Sequence, residues 1–565
     1  MAATAPKTLL MLAVLFLLAL LPRLYSAQTV GWHWDGPGSF TLVNFDEGGS
    51  CRAALDGFGY STFIGAQTIA LASLAGAAPP AGIEGDASAA KAWCHDPQHL
   101  MVARAYSAVT GALTAVLIAL IALQLVPAIH GVAWTAGGLV ALSGFHIAES
   151  HSATVDAPST FFIYLFLAVL VYGVARGARG ALLLSPLFLV AAMWAKYWVF
   201  AALAYLALLP QRWWTYISEG LSAARLCLLL VTAALLAGLL SNLELRAAGL
   251  YPVLALWYLL VPWRRLRRGM VVFCILLPLL LVGVSFIDII AKYTAGGAEG
   301  RFGTSYGAIG WHKLPRNLLN LPLVLLVGLG LPAFVFLPAG LRAMLRACGN
   351  ARAWCCLLPL AVFALYMAFV SPITYYRHYL PLLPAAALIA ALGLYSTAWG
   401  RRRWVVALVL AWQGALALDL VSDYHNDPRR ELRVWRAEHP KAPLFFSYYV
   451  NPPAGPGMLF RPEYADGDAR ALRSGQYLVL SENWYDTAFA NELNGPLVNV
   501  PARLVKTTPE YAAFYRAAIA GEHPLLQPEA IFPVHNAMPE LRLHSRFYGT
   551  FQLFVGDIRV FRVRQ

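Results

Sequence analysis

The sequence predicts an all-α polytopic membrane domain of about thirteen transmembrane helices, followed by a C-terminal extracytoplasmic α/β domain. Of its 565 residues, 59% are hydrophobic and only 13% charged. A soluble domain carries about 25% charged residues, so the deficit points to lipid. Apolar runs near the length needed to cross a hydrocarbon core of ~30 Å recur along the first three quarters of the chain. Arginines cluster in short junctions between those runs, the positive-inside pattern. The net charge of +13 therefore reads as a topology signal rather than a nucleic-acid or anion-binding patch.

The expected spans are 8–23, 103–127, 132–147, 159–173, 181–194, 198–209, 225–240, 247–261, 270–289, 318–337, 353–370, 380–398 and 404–420. Lys7 precedes a short apolar core at 9–21, as in a secretory signal peptide. Tyr25-Ser26-Ala27, however, puts a bulky side chain where cleavage wants a small one, so the first helix is expected to be retained. The stretch 181–209 is split at Lys196, because one helix of that length would run about 43 Å against a ~30 Å core. The arginines at 176/179, 212, 264–268, 342/346/352 and 401–403 then fall at every second junction. That alternation implies a cytoplasmic N-terminus, an extracytoplasmic C-terminus and an extracytoplasmic first loop at 28–100. The expected units are residues 1–421, the membrane domain, and 422–565, the outer domain. In the latter, 444–450, 477–480 and 551–563, with a turn at Gly556-Asp557, read as strands. Residues 509–520 read as a helix with Thr508 as cap and Pro509 first.

Seven cysteines are present. In this topology Cys51 and Cys94 alone are extracytoplasmic, where disulfides persist, and a Cys51–Cys94 bridge is expected. Cys227, Cys274, Cys348, Cys355 and Cys356 read as small apolar fillers.

The topology places four polar constellations on one face. Asp46 and Glu47, within Asn44-Phe45-Asp46-Glu47-Gly48-Gly49-Ser50, are adjacent carboxylates that can divide into a base and an orienting group. A solvated loop with a glycine turn is the plainer reading. Asp156 lies in the tight loop 151–158, and His146, Glu149 and His151 add polar groups at membrane depth, where ionisable residues are usually functional. Asp156 also suits a helix N-cap with Pro158 in the first turn. Lys196 and Tyr197 stand at the break between two short helices, where snorkelling competes with a phosphate partner. Thr374-Tyr375-Tyr376-Arg377-His378-Tyr379 sets an arginine among aromatic hydroxyls. An interfacial belt explains the tyrosines, but Arg377-His378 on the outer side goes against the charge rule and suits an anion. The polar loop 291–317 is long enough for a lid. No His/Cys/Asp cluster has metal-ligand spacing, so neither a metal nor another cofactor is expected.

Four motifs, in this order, resemble the GT-C glycosyltransferases: the early Asp46-Glu47, the second acid in Thr154-Val155-Asp156-Ala157-Pro158, the Lys196-Tyr197 pair, and the late Tyr376-Arg377-His378-Tyr379-Leu380-Pro381-Leu382-Leu383-Pro384. More narrowly, the chain is similar to bacterial relatives of the protein O-mannosyltransferases and of the lipid A aminoarabinose transferase. The resemblance covers 8–420. It implies inverting transfer from a polyprenyl-phosphate sugar to an extracytoplasmic glycolipid, polysaccharide or protein in a bacterial inner membrane. Asp46 would be the base, Glu47 would orient it or hold the acceptor, and Asp156 would be the second acid. Lys196 and Arg377 would hold the donor phosphate, with Tyr197 and Tyr376 beside them, while His95, His151 and His378 would line the acceptor side or pocket. The chain departs from its relatives in Asp46-Glu47-Gly48-Gly49-Ser50-Cys51-Arg52 and in His95-Asp96-Pro97, both on the acceptor side. The competing readings are a flippase or transporter of a lipid-linked glycan, and a non-catalytic assembly protein. Visible repeats would favour the first, whereas the Asp46/Asp156/Lys196/Arg377 set goes unexplained by the second.

Overall fold

The computed structural model describes residues 5–29, 42, 46–57, 61–196, 199–208, 314–346, 351–369, 376–440, 443–446, 450, 458–460, 474–485, 509–548 and 556–564. The expected spans 225–240, 247–261 and 270–289 lie outside them, as do Tyr197, Thr508 and the loop 291–317 up to residue 313.

The first part is a helical bundle: α1 (Ala5–Thr29), α2 (Gly49–Leu55), α3 (Thr62–Leu74), α4 (Ala87–Cys94), α5 (Pro97–Leu125), α6 (His130–Ala141), α7 (Gly144–Ser150), α8 (Asp156–Arg176) and α9 (Arg179–Lys196). After the undescribed stretch come α10 (Leu314–Leu329), α11 (Leu331–Phe334), α12 (Leu337–Arg346), α13 (Ala351–Cys355), α14 (Leu358–Phe369), α15 (Leu383–Ser396), α16 (Arg403–His425) and α17 (Pro428–Glu438). Among the described residues, 6 helices are long and apolar enough to cross a membrane, or up to 8 if each bent pair is one span. The chain is thus a multi-pass membrane protein by length and composition. Exposed leucines such as Leu9, Leu17 and Leu187 point away from the bundle, as lipid contact requires. Helix α5 is central and packs on α1, α6 and α8. Asp96 caps it by accepting from Gln98 N at 2.9 Å, with Pro97 as first residue, the pairing that favours a helix start.

The span pattern differs from expectation in four places. The expected sixth span is a 10-residue 3-10 helix, Val199–Leu208. The expected span 353–370 is divided between α13 and α14. Two other spans are broken: α6 and α7 meet at 54°, and the helices on either side of Gly330 at 117°. The first break follows from Arg23, which is fully buried. Its guanidinium donates to the carbonyls of Ala141 (2.9 Å) and Val140 (3.0 Å) at the end of α6, where helix carbonyls lack their full set of intrahelical partners. Ser143 then caps α7 by accepting from His146 N at 3.3 Å. At the second break Gly330 has φ 70°, and a Cβ there would lie 2.9 Å from Gln413 Oε1, so only glycine turns this corner without strain. The Gly328 carbonyl ties the two breaks together, accepting from Ser143 Oγ (2.7 Å) and Gln413 Nε2 (2.6 Å).

The described residues of the loop 28–100 include three short helices. Helices α3 and α4 pack on α5, α2 packs on α3 and α4, and a Cys51–Cys94 disulfide spans 43 residues. Constraint of the unfolded chain by a loop of that length is worth about 4 kcal/mol. Replacing both cysteines by serine is expected to lower stability by about that amount, read as a drop in thermal midpoint in detergent. An unchanged midpoint would mean the loop holds its shape without the bridge.

The C-terminal part is a five-stranded sheet in the order β2-β1-β3-β5-β4. Its strands are β1 (Leu444–Phe446), β2 (Met458–Phe460), β3 (Tyr477–Ser481), β4 (Leu526–Phe532) and β5 (Ile558–Val563). Strand β1 runs parallel to β2 and β3, while β5 is antiparallel to β3 and β4. Period-2 alternation divides β3 between two cores. Leu478 and Leu480 pack with Phe514 and Tyr515 of the helix Pro509–Ala520, and Tyr477 and Val479 pack with Leu432 and Trp435 of α17. Strands β2 and β4 are not among those expected from the sequence.

With Glu482–Tyr485 as α18 and Pro509–Ala520 as α19, the last helix is α20, Pro539–Tyr548. It reaches into the bundle, where Leu541 joins the large membrane-domain core. Glu540 Oε1 accepts from Leu331 N (2.8 Å) and Trp412 Nε1 (2.7 Å). Asp419 Oδ2 accepts from Ala537 N (2.9 Å) and Met538 N (2.7 Å). His544 is fully buried, and burial pushes its imidazole down to about 3. An unfolded histidine titrates near ~6.5, so the unfolded chain takes up a proton that the folded one refuses. Stability should therefore fall as pH drops from about 6.5 towards 3, by up to about 5 kcal/mol from this group. His544→Phe is expected to flatten that part of the profile in denaturant melts at stepped pH.

Candidate active site

The site is built where the first loop, the start of α8, the end of α9 and the 3-10 helix Tyr376–Leu382 meet. Asp46 and Glu47 sit side by side in a turn closed by Gly49 N donating to Asp46 O at 3.0 Å. Their environments are opposite. The Asp46 side chain is 39% exposed and meets the Arg377 guanidinium at 2.6 Å. Glu47 is fully buried and forms a two-pronged pair with Arg104 of α5, Nε to Oε1 at 2.8 Å and Nη2 to Oε2 at 2.8 Å. Glu47 Oε1 also accepts from Ala153 N at 2.8 Å. Glu47 thus pins the first loop to both α5 and the segment before α8, and it holds Asp46 in place.

Asp156 pairs with Lys196, closing a second carboxylate–cation contact. Its N-cap role is not observed: Val155 occupies that position, and Asp156 is the first residue of α8 with its carboxylate on Lys196. The side chain of Asp156 is 2% exposed and that of Lys196 20%. Glu149 of α7 is buried within range of the charges of Asp156, Arg377, Lys196 and Asp46. His378 is close enough to Asp156 to act on its charge. The structure therefore gathers Asp46, Glu149, Asp156, Lys196, Arg377 and His378 into one cluster at one end of the bundle. It holds three carboxyl groups, an amine, a guanidinium and an imidazole.

The other expected residues lie at or beneath its margin. His95 is half-buried, and burial, with Lys91 nearby, holds its imidazole below the ordinary range. Its ring lies against Gly48 and bonds the Glu47 backbone. Gly48 has φ 77°, and a Cβ there would stand 2.7 Å from His95 Cδ2 and 2.9 Å from the Cys94 carbonyl. Gly48→Ala is expected to cost about 2–3 kcal/mol from overpacking and left-handed strain, measured by thermal unfolding. His151 is buried against Tyr424, with ring centroids 4.2 Å apart. Tyr376 is fully buried and donates to Val324 O at 3.4 Å. It packs under the cluster rather than at its open side. Cys355 and Cys356 carry free thiols. Among the described residues no group of three or more His, Cys, Asp or Glu could hold a metal ion.

Sequence reasoning did not name Arg104, and it counted Glu149 only as a polar neighbour. Both carried a signal. Arg104 stands near the outer start of an apolar span, against the charge rule that singled out Arg377. Glu149 is an acid between an apolar helix and a tight turn.

No family model matches the chain, and no curated protein matches it. Among solved structures, it is similar to an oligosaccharyltransferase of Archaeoglobus fulgidus in complex with Zn and sulfate. The identity is 11%, over 97% of this chain and 88% of that chain, with a TM-score of 0.42. It is also similar to the archaeal oligosaccharyltransferase AglB of the same organism, in complex with an inhibitory peptide and a dolichol-phosphate. There the identity is 12%, over 99% of this chain and 88% of that chain, with a TM-score of 0.43. Likeness at this level establishes no kinship.

Proposed function

We propose that this chain is an inverting membrane glycosyltransferase of the GT-C type. It moves a sugar from a polyprenyl-phosphate donor to an acceptor at the extracytoplasmic face of a bacterial inner membrane. The observation that carries this reading is the pairing of Asp46 with Arg377 and of Asp156 with Lys196 at one end of an apolar bundle. Ionisable groups at such a depth are costly and usually functional. A lipid phosphate arrives at that interface, where Arg377 and Lys196 already stand.

In the resting site each cation is neutralised by a carboxylate. The donor phosphate displaces Asp46 from Arg377, so substrate binding itself frees the base. Asp46 then takes the proton of the acceptor hydroxyl. The hydroxyl oxygen bonds to the anomeric carbon from the face opposite the phosphate, and the carbon–oxygen bond to phosphate breaks with its electron pair. Polyprenyl phosphate leaves, its growing charge held by Arg377 and Lys196. Asp156 holds Lys196 in position. Glu47, with both oxygens committed to Arg104 and one also to Ala153, acts through the placement of Asp46. Tyr376 supports Arg377 from beneath.

The two broken spans favour a second reading, a flippase of a lipid-linked glycan, because transporters build their sites at such breaks. The charged cluster at one end of the bundle favours the enzyme. Purified protein in lipid nanodiscs, given polyprenyl-phosphate sugars and cell-envelope acceptors, is expected to release polyprenyl phosphate in step with glycosylated acceptor. Translocation of an intact donor in proteoliposomes, with no cleavage, would favour the flippase.

A further inference from the structure

We infer that α20 of the C-terminal unit is part of the catalytic apparatus, with His544 a positioning residue that sets Arg377 through Tyr376. The inference rests on the reading of Arg377 as the donor-phosphate residue.

Arg377 is the second residue of a 3-10 helix, a geometry that holds itself weakly and takes its precision from packing. The packing here is specific. The ring of Tyr376, next in chain to Arg377, meets Phe145 edge-on at 4.4 Å and 75°. It meets His544 edge-on at 4.6 Å and 89°. Phe145 belongs to α7, the helix that also carries Glu149. His544 belongs to α20, more than 160 residues later in the sequence.

The clamp is anchored on both sides. The start of α20 is fixed to α16, through Asp419 at Ala537 N and Met538 N and through Glu540 at Trp412 Nε1, and to the second broken span, through Glu540 at Leu331 N. Helix α7 is fixed to the same broken span through Ser143 and the Gly328 carbonyl. Tyr376 thus lies between two elements that share one anchorage. A shift of α20 would be passed to the backbone that carries Arg377. Buried histidine is an unusual choice for mere filling, but as a neutral ring it gives Tyr376 an edge-on partner. The outer unit would then serve the donor step directly, whatever acceptor it meets.

The test uses the full chain in nanodiscs, with His544→Ala, His544→Leu and His544→Phe. Two quantities are read: hydrogen exchange of the amides at 376–382, and the affinity for polyprenyl phosphate. His544→Ala is expected to speed exchange there about tenfold and weaken binding about tenfold, since small misplacements at a reacting centre have large effects. His544→Leu fills the volume without a ring edge and should act in the same direction if the alanine variant does not fold. His544→Phe restores the edge contact and should return both quantities to within about threefold of the starting protein. Unchanged exchange at 376–382 in the leucine variant, or no rescue by phenylalanine, overturns the inference. Faster exchange in a protein that binds no polyprenyl phosphate in any form supports the positioning role and removes the donor reading instead.

Discussion

Asp46→Asn is expected to lower sugar transfer by about 10²–10⁴, the span that general-base catalysis usually contributes. The fold should survive. Asp46 is at the open side of the site, 39% exposed. Asparagine keeps its shape, and a partly exposed ion pair contributes little stability. The rate must therefore be measured per folded molecule, with the melting profile beside it. A variant that melts as before and transfers at an undiminished rate would remove Asp46 as the base. Asp156→Asn makes a useful contrast. That carboxylate is buried on Lys196, so its loss should affect folding and activity together.

The largest effect on stability is expected at Arg104. Arg104→Met leaves the Glu47 carboxylate fully buried without its cation, and breaking a buried pair from one side typically costs about 3–5 kcal/mol. Replacing both partners with apolar groups of similar volume is often far milder. The double variant Glu47→Leu/Arg104→Met should therefore recover much of the stability. It should recover little of the activity, because the link from Glu47 to Ala153 N is lost as well and Asp46 is no longer fixed. A double-mutant cycle by denaturant melt measures the coupling. A single Arg104→Met cost below about 1 kcal/mol would contradict the pin.

Much of the bundle was legible because hydropathy integrates over a span. The runs that became α1, α5, α8, α9 and α16 are long, apolar and bounded by charge or proline. The breaks were not legible from such sums. A window over 132–147 or 318–337 averages across the bend and reports one helix. Local chemistry did signal the second break, since Gly330-Leu331-Pro332 joins a residue free to take positive φ to one that starts a helix. The first break depends on Arg23, over a hundred residues away in sequence, and no local pattern reveals that.

The site divides in the same manner. Asp46, Asp156, Lys196 and Arg377 stood out because a charge inside apolar sequence is conspicuous. The topology implied a common end for them, and the structure brings them together. The partner of each was not legible, because pairings across the bundle are set by packing. Asp46 and Glu47 are identical in local context, yet one is open and the other fully buried. Helix α20 gave the least sign. Its amphipathic sequence looks like any surface helix until Glu540 and His544 are seen against α11 and Tyr376.

The division of labour between Asp46 and Arg377 is tested most directly by equilibrium binding of a polyprenyl-phosphate sugar to Asp46→Asn and Arg377→Met in the same lipid. Asp46→Asn should bind at least as tightly as the unaltered protein, because Arg377 no longer has to leave a carboxylate, while Arg377→Met should bind at least about tenfold more weakly, the loss of one charge-assisted contact. Tight binding by Arg377→Met together with lost binding by Asp46→Asn would contradict the assignment of base and phosphate holder.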